Sequence, residues 1–191
     1  MQSFSIKENI RKEFLKKREN LKENFSQDLK KNFIKNFFNF NKDIKNKIVA
    51  GYYPIGSEIC CLEILRISNN QRIITSIPFI KEDHTIEFRK WSVGDPLVKG
   101  IFGIPSPKKK SNLNPDIILI PLITFDKHGS RIGFGSGIYD RTLPLFESSK
   151  KIGLAFSGQL HNRRLPVEKF DYPLDAVITE KKVFKFNEVK K

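Results

Sequence analysis

Cysteine is nearly missing from this chain: there are two among 191 residues, and they are neighbours, Cys60 and Cys61. That excludes a disulfide framework, and the pair lacks the C-x-x-C spacing of a zinc or redox site, so both read as buried small apolar residues. No apolar run reaches the roughly 18 residues that a membrane helix needs. The N-terminus, MQSFSIKENIRKEF, is charged where a secretory leader would be apolar. The expectation is a soluble, cytoplasmic protein that does not engage a membrane. Internal repeats and low-complexity linkers are missing too, and 191 residues at 39% hydrophobic composition suit one well-buried core, hence a single domain over 1–191. Of the histidines, His84, His128 and His161, no two have metal-ligand spacing, and none pairs with a nucleophile as in a triad. Acidic residues are the last shortage, 21 against 35 basic, for a formal charge of +14. Such an excess points to an anionic partner: nucleic acid, a membrane surface or a small polyanion. Lysine also rises together with Asn, Ile and Phe, so composition alone explains the excess equally well.

What is present begins with helices. Ile6, Ile10, Phe14, Leu21 and Phe25 recur at helical spacing on a charged background, which predicts an amphipathic helix over 5–25. Ser26 is placed to cap a second helix carrying Leu29, Phe33, Ile34 and Phe37 to about Asn39. KIVAGYYP reads as a buried strand stopped by Pro54, with Ser57 capping the next helix, EICCLEILRIS. RIITSIP and TIEFRKW are strand candidates, the second alternating as an edge would. GDPLVKGIFGIPSPKKKSNLNP reads as loop. DIILIPLITF is an almost continuous apolar run, as in a parallel strand covered on both faces. A helix over IYDRTLPLFESS and strands KIGLAFS and LDAVITE complete the order. Alternation of strands and helices predicts an α/β fold, a three-layer sandwich with a mainly parallel central sheet and helices on both faces.

Between strand and helix lies GSRIGFGSGIYDR, residues 129–141. Glycines let backbone approach a ligand and adopt positive φ, and amides opening a helix point at anions, so a phosphate cradle is one reading and a tight packing turn the other. The spacing is neither that of a P-loop nor G-x-G-x-x-G.

With its flanks, PLITFDKHGSRIGFGSGIYDRTL resembles the signature of the 5-formyltetrahydrofolate cyclo-ligases, also called methenyltetrahydrofolate synthetases. KENIRKEFLKKR is similar to that family's N-terminal basic helix, YYPIGSEI to its substrate-side strand and glutamate, EFRKW…GIPSP to its middle, and LPVEKFDYPLDAVITE to its C-terminal segment. The resemblance implies an ATP- and magnesium-dependent enzyme that closes the 5-formyl group of reduced folate onto the neighbouring amine, giving 5,10-methenyltetrahydrofolate, ADP and phosphate. It implies nucleotide contacts at Lys7, Arg11, Arg131, Ile132, Gly133, Phe134, Gly135, Ser136, Gly137, Ile138 and Tyr139. Folate contacts fall on Tyr53, Glu58, Phe134 and Tyr139, the magnesium ligands are Asp140 and Asp171, and Arg131 and Asp140 carry catalysis. The implied partner is 5-formyltetrahydrofolate, with or without a polyglutamate tail; nucleic acid is not implied, and a monomer is expected. From the basic excess, Lys108, Lys109 and Lys110 read either as a patch for such a tail or as a solvated lysine run.

Each residue has a plainer reading. Lys7 and Arg11, four apart, suit a solvated helix face as well as phosphates. Arg131 suits a surface ion pair, Asp140 a first-turn helix residue, Asp171 a turn, Glu58 an early helix position, and the tyrosines packing. Trp91 is a weaker pocket candidate, and Asp126 is expected to shape the glycine loop. The chain departs from the family pattern at Ile138, where Tyr is usual, and at Ser136, Ser106 and Phe170. Two other functions stay open on residues alone: a folate-binding protein of the same fold without turnover, and a basic nucleic-acid-binding protein.

Overall fold

The computed structural model describes residues 2–186. In chain order the elements are α1 (Gln2–Glu23), α2 (Gln27–Phe40), β1 (Val49–Ala50), α3 (Leu62–Asn70), β2 (Thr75–Ile80), β3 (Ile86–Lys90), β4 (Leu97–Lys99), β5 (Pro105–Pro107), β6 (Asn112–Leu113), β7 (Ile117–Pro121), β8 (Thr124–Phe125), β9 (Arg131–Ile132), α4 (Ile138–Thr142), β10 (Lys150–Leu154), β11 (Ala176–Ile178) and β12 (Val183–Lys185). One eight-stranded sheet has the order β12-β11-β10-β7-β1-β2-β3-β6. Its centre, β11-β10-β7-β1-β2, is parallel, while β12 and β3 pair antiparallel at the two sides.

The continuous apolar run of β7 explains the layering. Ile117 and Leu119 point into a core shared with Phe33 and Phe37 of α2 and Ile64 and Leu65 of α3. Ile118 and Ile120 point to the opposite core, with Ile138 of α4 and Leu143. Alternate side chains of a strand face opposite sides, so this strand needs cover on both. The architecture is the mostly parallel α/β sandwich expected, although the second face is covered by the short α4 and a 3-10 turn over Leu143–Phe146 instead of a long helix.

Ser26 caps α2 as expected, accepting from the Leu29 N–H at 3.3 Å. Ser26→Ala should cost about 1 kcal/mol and lower the thermal midpoint by roughly 2–4 °C, followed by circular dichroism. Ser57 does not cap a helix. Its hydroxyl accepts from Arg18 Nε at 3.0 Å, and α3 opens only at Leu62. Strand β1 is shorter than KIVAGYYP predicts, because the Tyr52 N–H and C=O are engaged by the Cys61 thiol. Cys61 is buried, but Cys60 is exposed. The glycine-proline loop contains a hairpin of β4 and β5 and the short β6, and β3 lies inside the sheet, since β6 covers its outer side.

After β1 the chain steps to β2 on one side of the sheet, and after β7 it steps to β10 on the other. Neighbouring β1 and β7 therefore form the topological switch point, and the crevice beyond their carboxyl ends is where open α/β sheets take ligands.

Candidate active site

A cleft of ≈ 1290 Å³ opens there, lined by Tyr52 and Tyr53 after β1 and by Pro121 at the end of β7. Single drug-sized ligands occupy pockets of about 300–1,000 Å³, so this cleft has room for two. Every residue to which the resemblance assigns a nucleotide, folate or magnesium contact lines it: Lys7, Arg11, Tyr53, Glu58, the run Arg131 to Asp140, and Asp171. Lys108, Lys109 and Lys110 are exposed and do not line it. Trp91 belongs to the core, not to the cleft: it is 3% exposed, and its indole donates to the Asp95 carbonyl.

The first wall is α1. Its buried stripe keeps the expected Phe14 but adds cations the apolar periodicity did not predict, since Ile6 is 50% exposed while Lys7 and Arg18 are buried. Lys7 Nζ pairs with Asp171 Oδ2 at 2.6 Å and Glu168 Oε2 at 3.3 Å. Arg11 Nε donates to the Gly133 carbonyl at 2.8 Å and pairs with Glu8 through Nη1. The helix thus grips the glycine loop by a cation.

The second wall is that loop. It starts in β9, which pairs antiparallel with β8, and Asp126 shapes it by accepting the N–H groups of His128 at 2.8 Å and Ser130 at 3.0 Å. Gly135 has φ +98°, and a Cβ there would stand 3.3 Å from Arg11 Nη2. A side chain at 135 would crowd the guanidinium, which would have to give by a few tenths of an ångström. Arg131 Nη2 donates to Asp140 Oδ1 at 2.6 Å, and its Nη1 donates to the Tyr172 carbonyl. Asp140 Oδ1 also accepts the Tyr172 N–H at 3.1 Å. Asp171 Oδ2 accepts the Glu168 N–H at 2.8 Å, so the turn role read from the sequence coexists with the ion pair.

Glu58 forms the opposite wall. It is 5% exposed and accepts the Ile55 N–H at 2.9 Å. Burial raises its pKa from the ordinary glutamate value, while the Ile55 N–H and the Arg18 charge oppose the rise. Burial also pushes the Tyr52 and Tyr139 hydroxyls up, so both are protonated donors at neutral pH.

Three of the cleft's cations are matched by carboxylates: Lys7 by Asp171 and Glu168, Arg11 by Glu8, Arg131 by Asp140; Arg141, which also lines the cleft, donates instead to the Ser136 carbonyl at 2.7 Å. Among the described residues no group of three His, Cys, Asp or Glu could hold a metal ion. Magnesium in a phosphate site needs only one or two protein carboxylates, the phosphates and water supplying the rest. The hydrogen bonds of Asp140 run to Oδ1 and those of Asp171 to Oδ2, so each carboxylate keeps a second oxygen outside them.

Sequence reasoning missed Glu8, Phe102, Glu168 and Arg18. Glu8 stands three residues before Arg11, a spacing that pairs side chains on one helix face. Phe102, 62% exposed on the cleft rim at φ 57°, lay in a segment with no periodicity.

These features define an open α/β protein with a large ligand cleft at the switch point of its sheet, walled by matched cations and carboxylates on one side and a buried glutamate on the other. The sequence profile of the 5-formyltetrahydrofolate cyclo-ligase family matches residues 4–180. The chain is 30% identical over 183 residues to the 5-formyltetrahydrofolate cyclo-ligase of Haemophilus influenzae, covering 90% of this chain and 96% of that protein. The solution structure of the Aquifex aeolicus 5,10-methenyltetrahydrofolate synthetase superposes with TM-score 0.83 at 32% identity, over 97% of this chain and 95% of the other. A Mycoplasma pneumoniae 5,10-methenyltetrahydrofolate synthetase gives 0.68 at 26% identity, over 91% and 98%. The chain belongs to the 5-formyltetrahydrofolate cyclo-ligase family.

Proposed function

We propose that this protein uses ATP to convert 5-formyltetrahydrofolate to 5,10-methenyltetrahydrofolate, releasing ADP and phosphate, with magnesium at Asp140 and Asp171. One observation carries the reading. The residues implied by the family come from four distant parts of the chain, near 7–11, 53–58, 131–140 and 171, and all of them line one cleft.

The chemistry explains why that company is needed. A formamide oxygen is a poor leaving group, and its transfer onto phosphorus makes it a good one. The formyl oxygen attacks the terminal phosphorus of ATP and ADP departs. The neighbouring amine then adds to the activated carbon, phosphate leaves with the former formyl oxygen, and the amine proton passes to water. Phosphoryl transfer of this kind depends on positioning and on neutralising charge. Lys7, Arg11 and Arg131 take the phosphates in place of their carboxylates, and the freed carboxylates Asp140 and Asp171 hold magnesium. When bound, the ion neutralises the triphosphate. Glu58 and Tyr53 receive the folate on the other wall, Glu58 accepting from ring N–H groups, and Phe134 and Tyr139 lie between the two ligands.

Two measurements test this. ADP release should depend on added 5-formyltetrahydrofolate; ATP breakdown indifferent to folate would overturn the reading. Because Glu58 accepts as a carboxylate and burial raises its pKa, kcat/KM for the folate should fall with acid above the ordinary glutamate range. Glu58→Gln should remove that acid limb and raise KM by about tenfold, the scale of a hydrogen bond to a charged group. An unchanged profile in the variant would take Glu58 out of folate binding.

A further inference from the structure

Arg18 is one of the largest fully buried side chains, 1% exposed, and it does not line the cleft. It continues the stripe of α1 that carries Lys7 and Arg11, one layer deeper. Its Nε donates to Ser57 Oγ at 3.0 Å and its Nη1 to the Leu122 carbonyl at 3.0 Å, just past the end of β7. Its guanidinium lies 5.2 Å from the centroid of the Phe134 ring, which is 54% exposed on the glycine loop. Burying a cation costs more than burying an apolar side chain of similar size. The Leu122 carbonyl also accepts from Gln159 Nε2 at 2.9 Å, so methionine at 18 would not leave it unpaired, and stability alone does not account for a guanidinium there.

We infer that Arg18 is a positioning residue that ties the two halves of the cleft together, fixing the Ser57–Glu58 turn through hydrogen bonds and charge and fixing Phe134 by stacking. Glu58 follows directly on the serine that Arg18 holds, and the Arg18 charge opposes the upward shift that burial imposes on the Glu58 carboxyl. The same burial lowers the pKa of Arg18, with the charges of Glu58 and Glu19 among the opposing influences. Besides Arg18, the titratable groups facing Glu58 are Tyr52, Cys61 and Tyr139, all of which burial keeps protonated at neutral pH. Arg18 is therefore the only one of these that supplies a compensating charge. On the other side, a planar cation over a ring holds that ring's orientation in a way an ammonium does less well. The inference rests on the proposed function, in which Glu58 serves the folate and Phe134 borders both ligands.

The test is a KM split across three variants, each checked for folding by circular dichroism. Arg18→Met should raise KM for 5-formyltetrahydrofolate by about tenfold and KM for ATP by about threefold, together and in folded protein. Arg18→Lys, which keeps the charge and loses the planar stack, should restore most of the folate KM and little of the ATP KM. Ser57→Ala, which leaves the arginine in place, should raise only the folate KM, by a few fold, and guards against an Arg18 variant that does not fold. A purely structural role would lower the melting temperature or the active fraction and leave both KM values as in wild type, which overturns the inference. Lysine restoring both KM values equally would also overturn it, by showing that charge alone suffices. If the wild-type chain forms no product, the proposed reaction has failed, and calorimetric affinities for 5-formyltetrahydrofolate and ATP in the same variants decide the positioning role by the same split.

Discussion

Gly135→Val should abolish measurable ATP binding in calorimetry, a loss of about a hundredfold or more, while the protein stays folded. Two effects add. At φ +98° a β-branched residue is strained, and the loop would relax by moving the backbone out of its present path at a cost of about 1–3 kcal/mol. The added side chain would also meet Arg11, whose Nη2 stands 3.3 Å from the position of the new Cβ. Each charge-assisted hydrogen bond lost to phosphate is worth about 1.5–3 kcal/mol, so displacing the guanidinium and one or two amides accounts for the expected drop. The core is spared because Gly135 is exposed, and the thermal midpoint should fall by no more than about ten degrees. Gly133→Ala is the companion measurement. A Cβ there meets nothing within 4 Å, so the fold tolerates it and any loss of ATP affinity reports contact with the ligand itself. Unchanged affinity in folded Gly135→Val would remove the glycine loop from nucleotide binding.

Asp140→Asn should cut turnover by on the order of a hundredfold or more, the scale of losing a charge-stabilising group, with part of the loss recovered at high magnesium. Asp140 accepts from Arg131 and from the Tyr172 N–H through Oδ1, the arrangement of a carboxylate serving as acceptor and charge carrier. Asparagine retains an acceptor oxygen for the Tyr172 N–H and loses the charge, so the loop keeps its path while the ion loses a ligand. KM for the folate should change little, since Glu58 is on the other wall. Asp171→Asn should act in the same direction but more weakly, because Lys7 also has Glu168 at 3.3 Å to hold it. Initial rates against magnesium concentration decide the matter. Variants that keep the wild-type magnesium dependence and shift only the pH profile would make these aspartates an acid and base instead.

The parts legible in the sequence are those set by local chemistry. Ser26 caps α2 because a hydroxyl before an apolar period needs only its own next turn. The stretch 117–121 declares a strand covered on both faces because it is continuously apolar, although the strand expected over 116–125 stops at Pro121 and Thr124–Phe125 pair with β9 outside the main sheet, and the glycine stretch declares a loop that must run close to something. What the sequence concealed depends on partners far along the chain. Ser57 has the right neighbours for a cap, and only the arrival of Arg18, 39 residues earlier, gives its hydroxyl another use. The periodicity of α1 runs through Ile6, Ile10, Phe14, Leu21 and Phe25, and its later half does pack inward, with Phe14 buried and Leu21 and Phe25 against the core; the inward face also carries Lys7, Arg11 and Arg18, because its first half meets a cleft and a polar loop in place of a hydrophobic core. Trp91 looked like a pocket residue on chemistry alone, but strand pairing places it in the core. Lys7, Arg11, Arg131, Asp140 and Asp171 could be named from the family pattern, but their pairing could not: Lys7 meets Asp171 from 164 residues away, and Arg131 meets Asp140 only because the glycine loop between them folds back.

The central claim is catalysis by this chain, and the formation of 5,10-methenyltetrahydrofolate followed by its absorbance tests it most directly. With 5-formyltetrahydrofolate, ATP and magnesium together, the absorbance of the product should rise in proportion to enzyme, and withholding either ATP or magnesium should stop it. No product from folded protein that still binds the folate would contradict the account and leave a folate-binding protein without turnover.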